Sequence, residues 1–226
     1  MITRMAEGFR IGIVSGKLGG VDGVSLEVDK WITILRRMGH EVVTIAGTYT
    51  SPLESISADS QLALPEIAFQ TEQQKHYERL FFPYLNGHPT HVSRKAVDDA
   101  VEALVSDGTD VGEQLVEFVK SHGLDALVGQ NTNAMPMTLL GGIGIHRVAT
   151  QYRVPTIFHH HDFWWERSRF SNARIEPLLN QIMPPSDLGL EHIVISSYAQ
   201  HILTSLKRVQ PHVVPNCEDF DNPVWV

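Results

Sequence analysis

Apolar residues along this chain fall into short runs, and most runs are followed by a stretch in which apolar positions recur every three or four residues. The runs at 10–14, 41–46, 124–129, 154–158, 192–196 and 212–214 are rich in β-branched residues and predict strands. Between them, Val24, Val28, Trp31, Ile32 and Leu35 share one face of a helix predicted over 23–38, with Gly39 as its stop. Two further helices are predicted at 93–105 and 111–121, with Ser93 as a cap and Asp107-Gly108 as the turn between them. Another is predicted over 137–152, where Gly141, Gly142 and Gly144 either weaken it or mark the close approach of another backbone. Segment 47–91, with Pro52, Pro65, Pro83 and Pro89, is the least regular part; it carries one short helix near 71–81 and reads as an excursion that partly covers a site. Alternating strands and helices predict a single α/β domain whose mainly parallel sheet is covered on both faces.

With 226 residues, 42% of them hydrophobic, the chain can bury a proper core. The formal net charge of −8 argues against a nucleic-acid partner, since neutralising phosphates needs an excess of Lys and Arg. The one cysteine, Cys217, rules out an intrachain disulfide and fits a reducing, cytoplasmic setting. No apolar run reaches the roughly 20 residues of a membrane span. Lys30, Arg36 and Arg37 beside Trp31 leave peripheral membrane contact open as a minor reading.

Ligands of open parallel sheets bind beyond the carboxyl ends of the strands, so the residues that follow each strand are the candidates for chemistry. These are Ser15 to Ser25 with the glycine turn Gly19-Gly20, then Gln130 to Asn133, then His159 to Trp165, then Ser196-Ser197-Tyr198. Gly19 and Gly20 let the backbone take positive φ and approach an anion closely, and Lys17 could add a phosphate contact. A tight turn with an exposed lysine explains the same residues. Neither the P-loop pattern nor GxGxxG is present. His159, His160 and His161 leave a strand in succession and cannot all face one ion, so no metal is expected. One or two of them facing a cleft, the rest packed, is the simpler reading. Trp164 and Trp165 read as core or rim residues.

The ordered blocks resemble the retaining glycosyltransferases of family four, built from two facing Rossmann-like domains (the GT-B architecture). GGVDGVSLEVDKWITILRRMGHEVVTIAG is similar to that family's opening block, and KLGGVDGV resembles the Lys-x-Gly-Gly turn of glycogen and starch synthases. VPTIFHHHDFWW resembles the block that ends in the cleft histidine, which falls on His161, followed by Asp162. HIVISSYAQHILTSL resembles the later strand and helix. VVPNCEDFDNP resembles the interdomain segment, with Asn216 and Asp219 in similar places but Cys217 and Glu218 replacing the usual Gly-Val.

The resemblance implies a Rossmann-like three-layer α/β/α domain over 1–214, the N-terminal, acceptor-side half of a GT-B fold. Residues 215–226 would start the interdomain linker to a nucleotide-sugar domain that this chain does not contain. The complete enzyme would transfer a sugar from a nucleotide-diphosphate donor to a sugar, lipid or small-molecule acceptor with retention, without cofactor or obligatory metal, and the isolated domain would be inactive. Lys17, Gly19 and Gly20 would face the phosphates, and His161 and Asp162 the reacting centre. Asn131, Asn133 and Ser196 are candidates for acceptor hydroxyls, although turn-forming roles explain Asn131 and Asn133 equally well. The rival readings are a nucleotide-sugar epimerase half and a stand-alone sugar- or nucleotide-binding module. Dinucleotide-dependent oxidoreduction is disfavoured by the missing glycine fingerprint and by Ala46-Gly47-Thr48, which puts no acid at the end of the second strand.

Overall fold

The computed structural model describes residues 8–85 and 88–216. Seven strands form one parallel sheet in the order β3-β2-β1-β4-β5-β6-β7. They are β1 (Arg10–Ser15), β2 (Glu41–Ala46), β3 (Gln61–Ala63), β4 (Ala126–Gln130), β5 (Thr156–His160), β6 (Glu191–Val194) and β7 (His212–Val213). The helices are α1 (Gly23–Arg37), α2 (Glu72–Phe81), α3 (Arg94–Ser121), α4 (Leu139–Thr150), α5 (Glu176–Ile182) and α6 (Ser197–Lys207). This is the parallel α/β sheet that the alternation predicts, in the Rossmann-like form that the resemblance implies.

Side-chain alternation divides the core into two layers. Val14, Val43, Ile45, Leu127 and Phe158 face α2, α3, α4 and α5. Their strand neighbours Ile13, Val42, Ala46 and Val128 face α1 through Val28 and Ile32. The loop before α1 ends in Asp22, whose carboxylate accepts the Ser25 N–H at 3.1 Å and starts the helix. Segment 64–69 folds over the ends of β1 and β2, so that a Cβ at Gly16 would meet the Phe69 ring at 2.1 Å and one at Gly47 would meet the Ala68 backbone nitrogen at 2.2 Å.

The two helices expected at 93–105 and 111–121 are one 28-residue helix, α3. Asp107-Gly108 is no turn, because both residues are used where they stand. Asp107 accepts the Tyr77 hydroxyl at 2.7 Å and the Gln73 amide at 2.6 Å from α2, and a Cβ at Gly108 would meet Ile143 at 2.6 Å. The glycines of α4 mark close approach. A Cβ at Gly144 would meet the Gly112 nitrogen at 3.1 Å and Val111 at 2.7 Å, so α3 and α4 touch backbone to backbone. The strands predicted at 124–129, 154–158 and 192–196 begin or end one or two residues away, with Ser196 outside β6 as the N-cap of α6. The pattern gave no warning of β3 or α5, each too short to show a period. Of the interdomain segment expected at 215–226, residues 217–226 lie outside the described residues, Cys217, Glu218 and Asp219 among them.

Overpacking the α3–α4 contact should be costly. Gly144→Val is expected to lower stability by about 2–3 kcal/mol. Gly23→Ala, at a helical position with open space around it, should be neutral or slightly stabilising. Denaturant midpoints of the two variants test this; a G144V midpoint equal to the parent's would show that the helices separate freely.

Candidate functional site at the carboxyl edge of the sheet

The glycine turn lies just past β1. Gly19 and Gly20 have φ of +79° and +74°, and a Cβ at Gly19 would meet the Ser51 carbonyl oxygen at 2.2 Å. The turn is pinned to segment 48–51: Leu18 N–H donates to Thr48 O, Thr50 N–H to Leu18 O, and Gly20 N–H to Ser51 Oγ at 2.9 Å. Lys17 Nζ sits 3.2 Å from Asp22 Oδ2. Burial pulls the Asp22 carboxyl upward, but the Ser25 N–H and hydroxyl and the Lys17 ammonium outweigh it and hold the carboxyl below its ordinary value. An anion at this turn would therefore compete with Asp22 for Lys17 and with Ser51 for the Gly20 amide.

One strand away, two consecutive amides end β4. Gln130 Oε1 lies 3.0 Å from His159 Nδ1, and Gln130 Nε2 lies 2.8 Å from His161 Nε2. His161 Nδ1, on the other side of the ring, lies 3.4 Å from Asn216 Nδ2 and faces the open edge. Asn131, in the left-handed region at φ 56°, accepts the His161 backbone N–H at 3.0 Å and donates to Asp162 Oδ1 at 3.1 Å. Arg167 closes the other side of that carboxylate, with Nη2 2.6 Å and Nε 3.3 Å from Asp162 Oδ2. Beyond Asp162 an open groove of about 610 Å³ runs between the β4–α4 loop and the segment after β5.

The three histidines separate as strand geometry requires. His159 points toward α1, with its ring 4.8 Å from Trp31. His160 points to the opposite face and meets His192 Nδ1 at 3.0 Å through Nε2. Burial, and secondarily the neighbouring His161, pushes His159 down to about 3. Burial with help from Lys207 pushes His192 down to about 4. Burial likewise holds His160 well below its ordinary value. Burial also lowers His161, even though the carboxylates of Glu27 and Asp162 pull the other way, so all four rings are neutral near pH 7.

The edge thus joins Asn131, His161 and Asp162 into one bonded group, with Lys17, Gly19 and Gly20 at the neighbouring strand end. Asn133 does not belong to it. Its side chain is buried, donates to Gly142 O and Ile182 O, and accepts from Thr132 Oγ1, which makes it a tie between the β4–α4 loop, α4 and α5. Ser196 Oγ accepts the Ala199 N–H and caps α6. Trp31 turns inward, its indole N–H donating to Glu27 at 3.2 Å, and Lys30 pairs with the same carboxylate at 2.7 Å. Among the described residues, no helix is long and apolar enough to cross a membrane.

Gln130 lay in the candidate cluster 130–133 but was given no role of its own, because its bond to His161 spans 31 residues. Glu27 and Arg167 were not among the candidates. Glu27 had a legible signal, an acid inside the apolar stripe of α1. Arg167 had none, because its pairing with Asp162 is set by the loop between them.

No family model matches the chain. It is 30% identical over 217 residues to a mannosylglucosylglycerate synthase of Thermotoga maritima and 30% identical over 219 residues to a protein of the same name from Petrotoga mobilis. Each match covers 95% of this chain and 46% of the relative, so the chain spans about half the length of these proteins. A crystal structure of a glycosyltransferase from Rickettsia africae ESF-5 superposes with a TM-score of 0.46 at 10% identity, over 95% of this chain and 44% of that one.

The buried histidines make stability depend on pH. Their folded pKa values lie below the ordinary value, near 6.5, that they regain on unfolding, so their contribution is complete above about pH 6.5. As pH falls from there toward about 4 for His192 and about 3 for His159, the unfolded chain takes up protons that the folded chain refuses. Each such histidine is expected to remove up to about 1.4 kcal/mol per pH unit. Urea midpoints should therefore fall between about pH 7 and about pH 5, with a flatter profile for His192→Gln; an unchanged midpoint across that range would contradict the buried, neutral assignment.

Proposed function

We propose that this chain is the acceptor-side half of a glycosyltransferase of the GT-B kind. The whole protein moves a hexosyl group from a nucleotide-diphosphate sugar to a glycosylated hydroxy acid of the glucosylglycerate type, with retention at the anomeric carbon. The observation that carries this reading is the 30% identity to two mannosylglucosylglycerate synthases over 95% of the chain, beside the bonded group His161-Asp162-Asn131 at the carboxyl edge of the sheet.

In this reaction the bond from the anomeric carbon to the diphosphate oxygen breaks and one to the acceptor hydroxyl oxygen forms, while the acceptor proton ends on the departing diphosphate. Catalysis rests on positioning and on stabilising the charge that develops. The neutral His161 presents its Nδ1 edge to the transferred sugar, since its Nε2 is engaged by Gln130. Asp162, paired with Arg167 and steadied by Asn131, orients the acceptor. Lys17, Gly19 and Gly20 face the phosphates, with Lys17 exchanging Asp22 for the diphosphate.

The test uses the whole protein with nucleotide sugars and glucosylglycerate, with the disaccharide product and its anomeric configuration read by NMR. His161→Ala is expected to lower kcat/KM by about 10²-fold or more, and His159→Ala less. This chain alone should give no turnover. Full activity of the H161A protein would remove His161 from the reacting centre, and an epimerised nucleotide sugar as the product would replace the transferase reading.

A further inference from the structure

The groove beside Asp162 holds a cation that the fold positions but does not pair with an oxygen. Two of its charged residues are already engaged: Arg167 by Asp162, and Glu166, whose Oε2 accepts the Phe163 N–H at 2.9 Å. Arg169 differs. Its guanidinium lies 4.7 Å from the centre of the Phe170 ring, and its Nη2 points to Met137 Sδ at 3.7 Å, a weak acceptor. Among the described residues it has no carboxylate or carbonyl partner.

The support beneath it is rigid. Phe170 is 1% exposed and packs edge-on against Phe82 with ring centroids 5.0 Å apart, so the surface carrying the guanidinium belongs to the core. Met135, 3% exposed, and Met137 supply apolar wall on the facing side of the groove. A planar fork held by stacking beside apolar wall matches a carboxylate in two-point geometry and loses little freedom on binding it. The Met137 contact is weak enough to be given up.

We propose that this groove is the subsite for the carboxylate of the acceptor, with Arg169 as its anchor, and that Arg169 makes the protein select an anionic glycosyl acid over a neutral glycoside. This rests on the transferase reading only for the identity of the ligand. Arg167, held in its ion pair, fixes Asp162 for the acceptor hydroxyls, while Arg169 takes the charge. The two functions divide between neighbouring arginines because one is already neutralised and the other is not.

Titration of this chain at low ionic strength with glucosylglycerate and with uncharged glucosylglycerol, followed by amide NMR shifts, tests the proposal. Glucosylglycerate is expected to bind about tenfold or more tightly than glucosylglycerol, and the difference should shrink with added salt. Arg169→Gln should abolish the difference while leaving glucosylglycerol binding unchanged, and Arg169→Lys should keep part of it. Equal binding of the two compounds by the parent, binding of neither, or a preference that survives in R169Q would each overturn the subsite. The transferase reading fails separately. Whole-protein turnover unchanged by R169Q leaves that reading standing and removes the subsite. Arg169-dependent binding without turnover on any nucleotide sugar keeps the subsite and removes the transfer.

Discussion

The arrangement at the carboxyl edge of the sheet depends on two neighbouring amides, Gln130 and Asn131, at the point where β4 ends. A parallel sheet brings the ends of β4 and β5 side by side but leaves the residues beyond them free to turn in any direction. Gln130 bridges His159 and His161, and Asn131 takes the left-handed turn that lets one side chain hold both the His161 amide and the Asp162 carboxylate. Each amide has a donor and an acceptor on a short, planar group, so each can join two partners of opposite polarity. Without them, His161 and Asp162 would be two exposed residues on a loop.

Burial then sets the protonation of what those amides hold. A histidine in a low-dielectric setting resists charge, and the Gln130 amide holds the Nε2 side of the His161 ring. The acids nearby, Glu27 and Asp162, are each tied to a cation, Lys30 and Arg167, so their pull on the imidazole is muted. The result is a neutral imidazole beside a fixed carboxylate, a combination suited to hydroxyl-rich ligands. Next to it, Arg169 is held against Phe170 and Met137, with no carboxylate or carbonyl partner among the described residues.

The glycines serve packing more than flexibility. Gly16 and Gly47 lie under segment 64–69, and Gly108, Gly112 and Gly144 let α3 and α4 meet. Gly19 and Gly20 do take the conformation that a phosphate turn needs, yet the same geometry docks the turn on Ser51. A side chain at Gly19 would collide with that neighbour whether or not a ligand ever arrives.

The order of elements and the parallel sheet were legible in the sequence, because hydrophobic period is local and topology follows from the alternation of strand and helix. That His161 and Asp162 stand just past the end of β5, beside the residues that follow β4, was legible for the same reason. What the sequence by itself could not determine is anything that depends on distant partners. Asp107-Gly108 has the composition of a turn, and only contact with Tyr77 and Ile143 keeps it helical. Asn133 has the composition of a ligand contact, and only the tertiary structure turns it inward. Gln130 is tied to two histidines and Arg167 to Asp162, while Arg169 lies against Phe170 and Met137, through pairings that a linear pattern does not encode. Local periodicity is carried by each residue's own polarity; the state of a polar group is decided by which neighbours the fold has already given it.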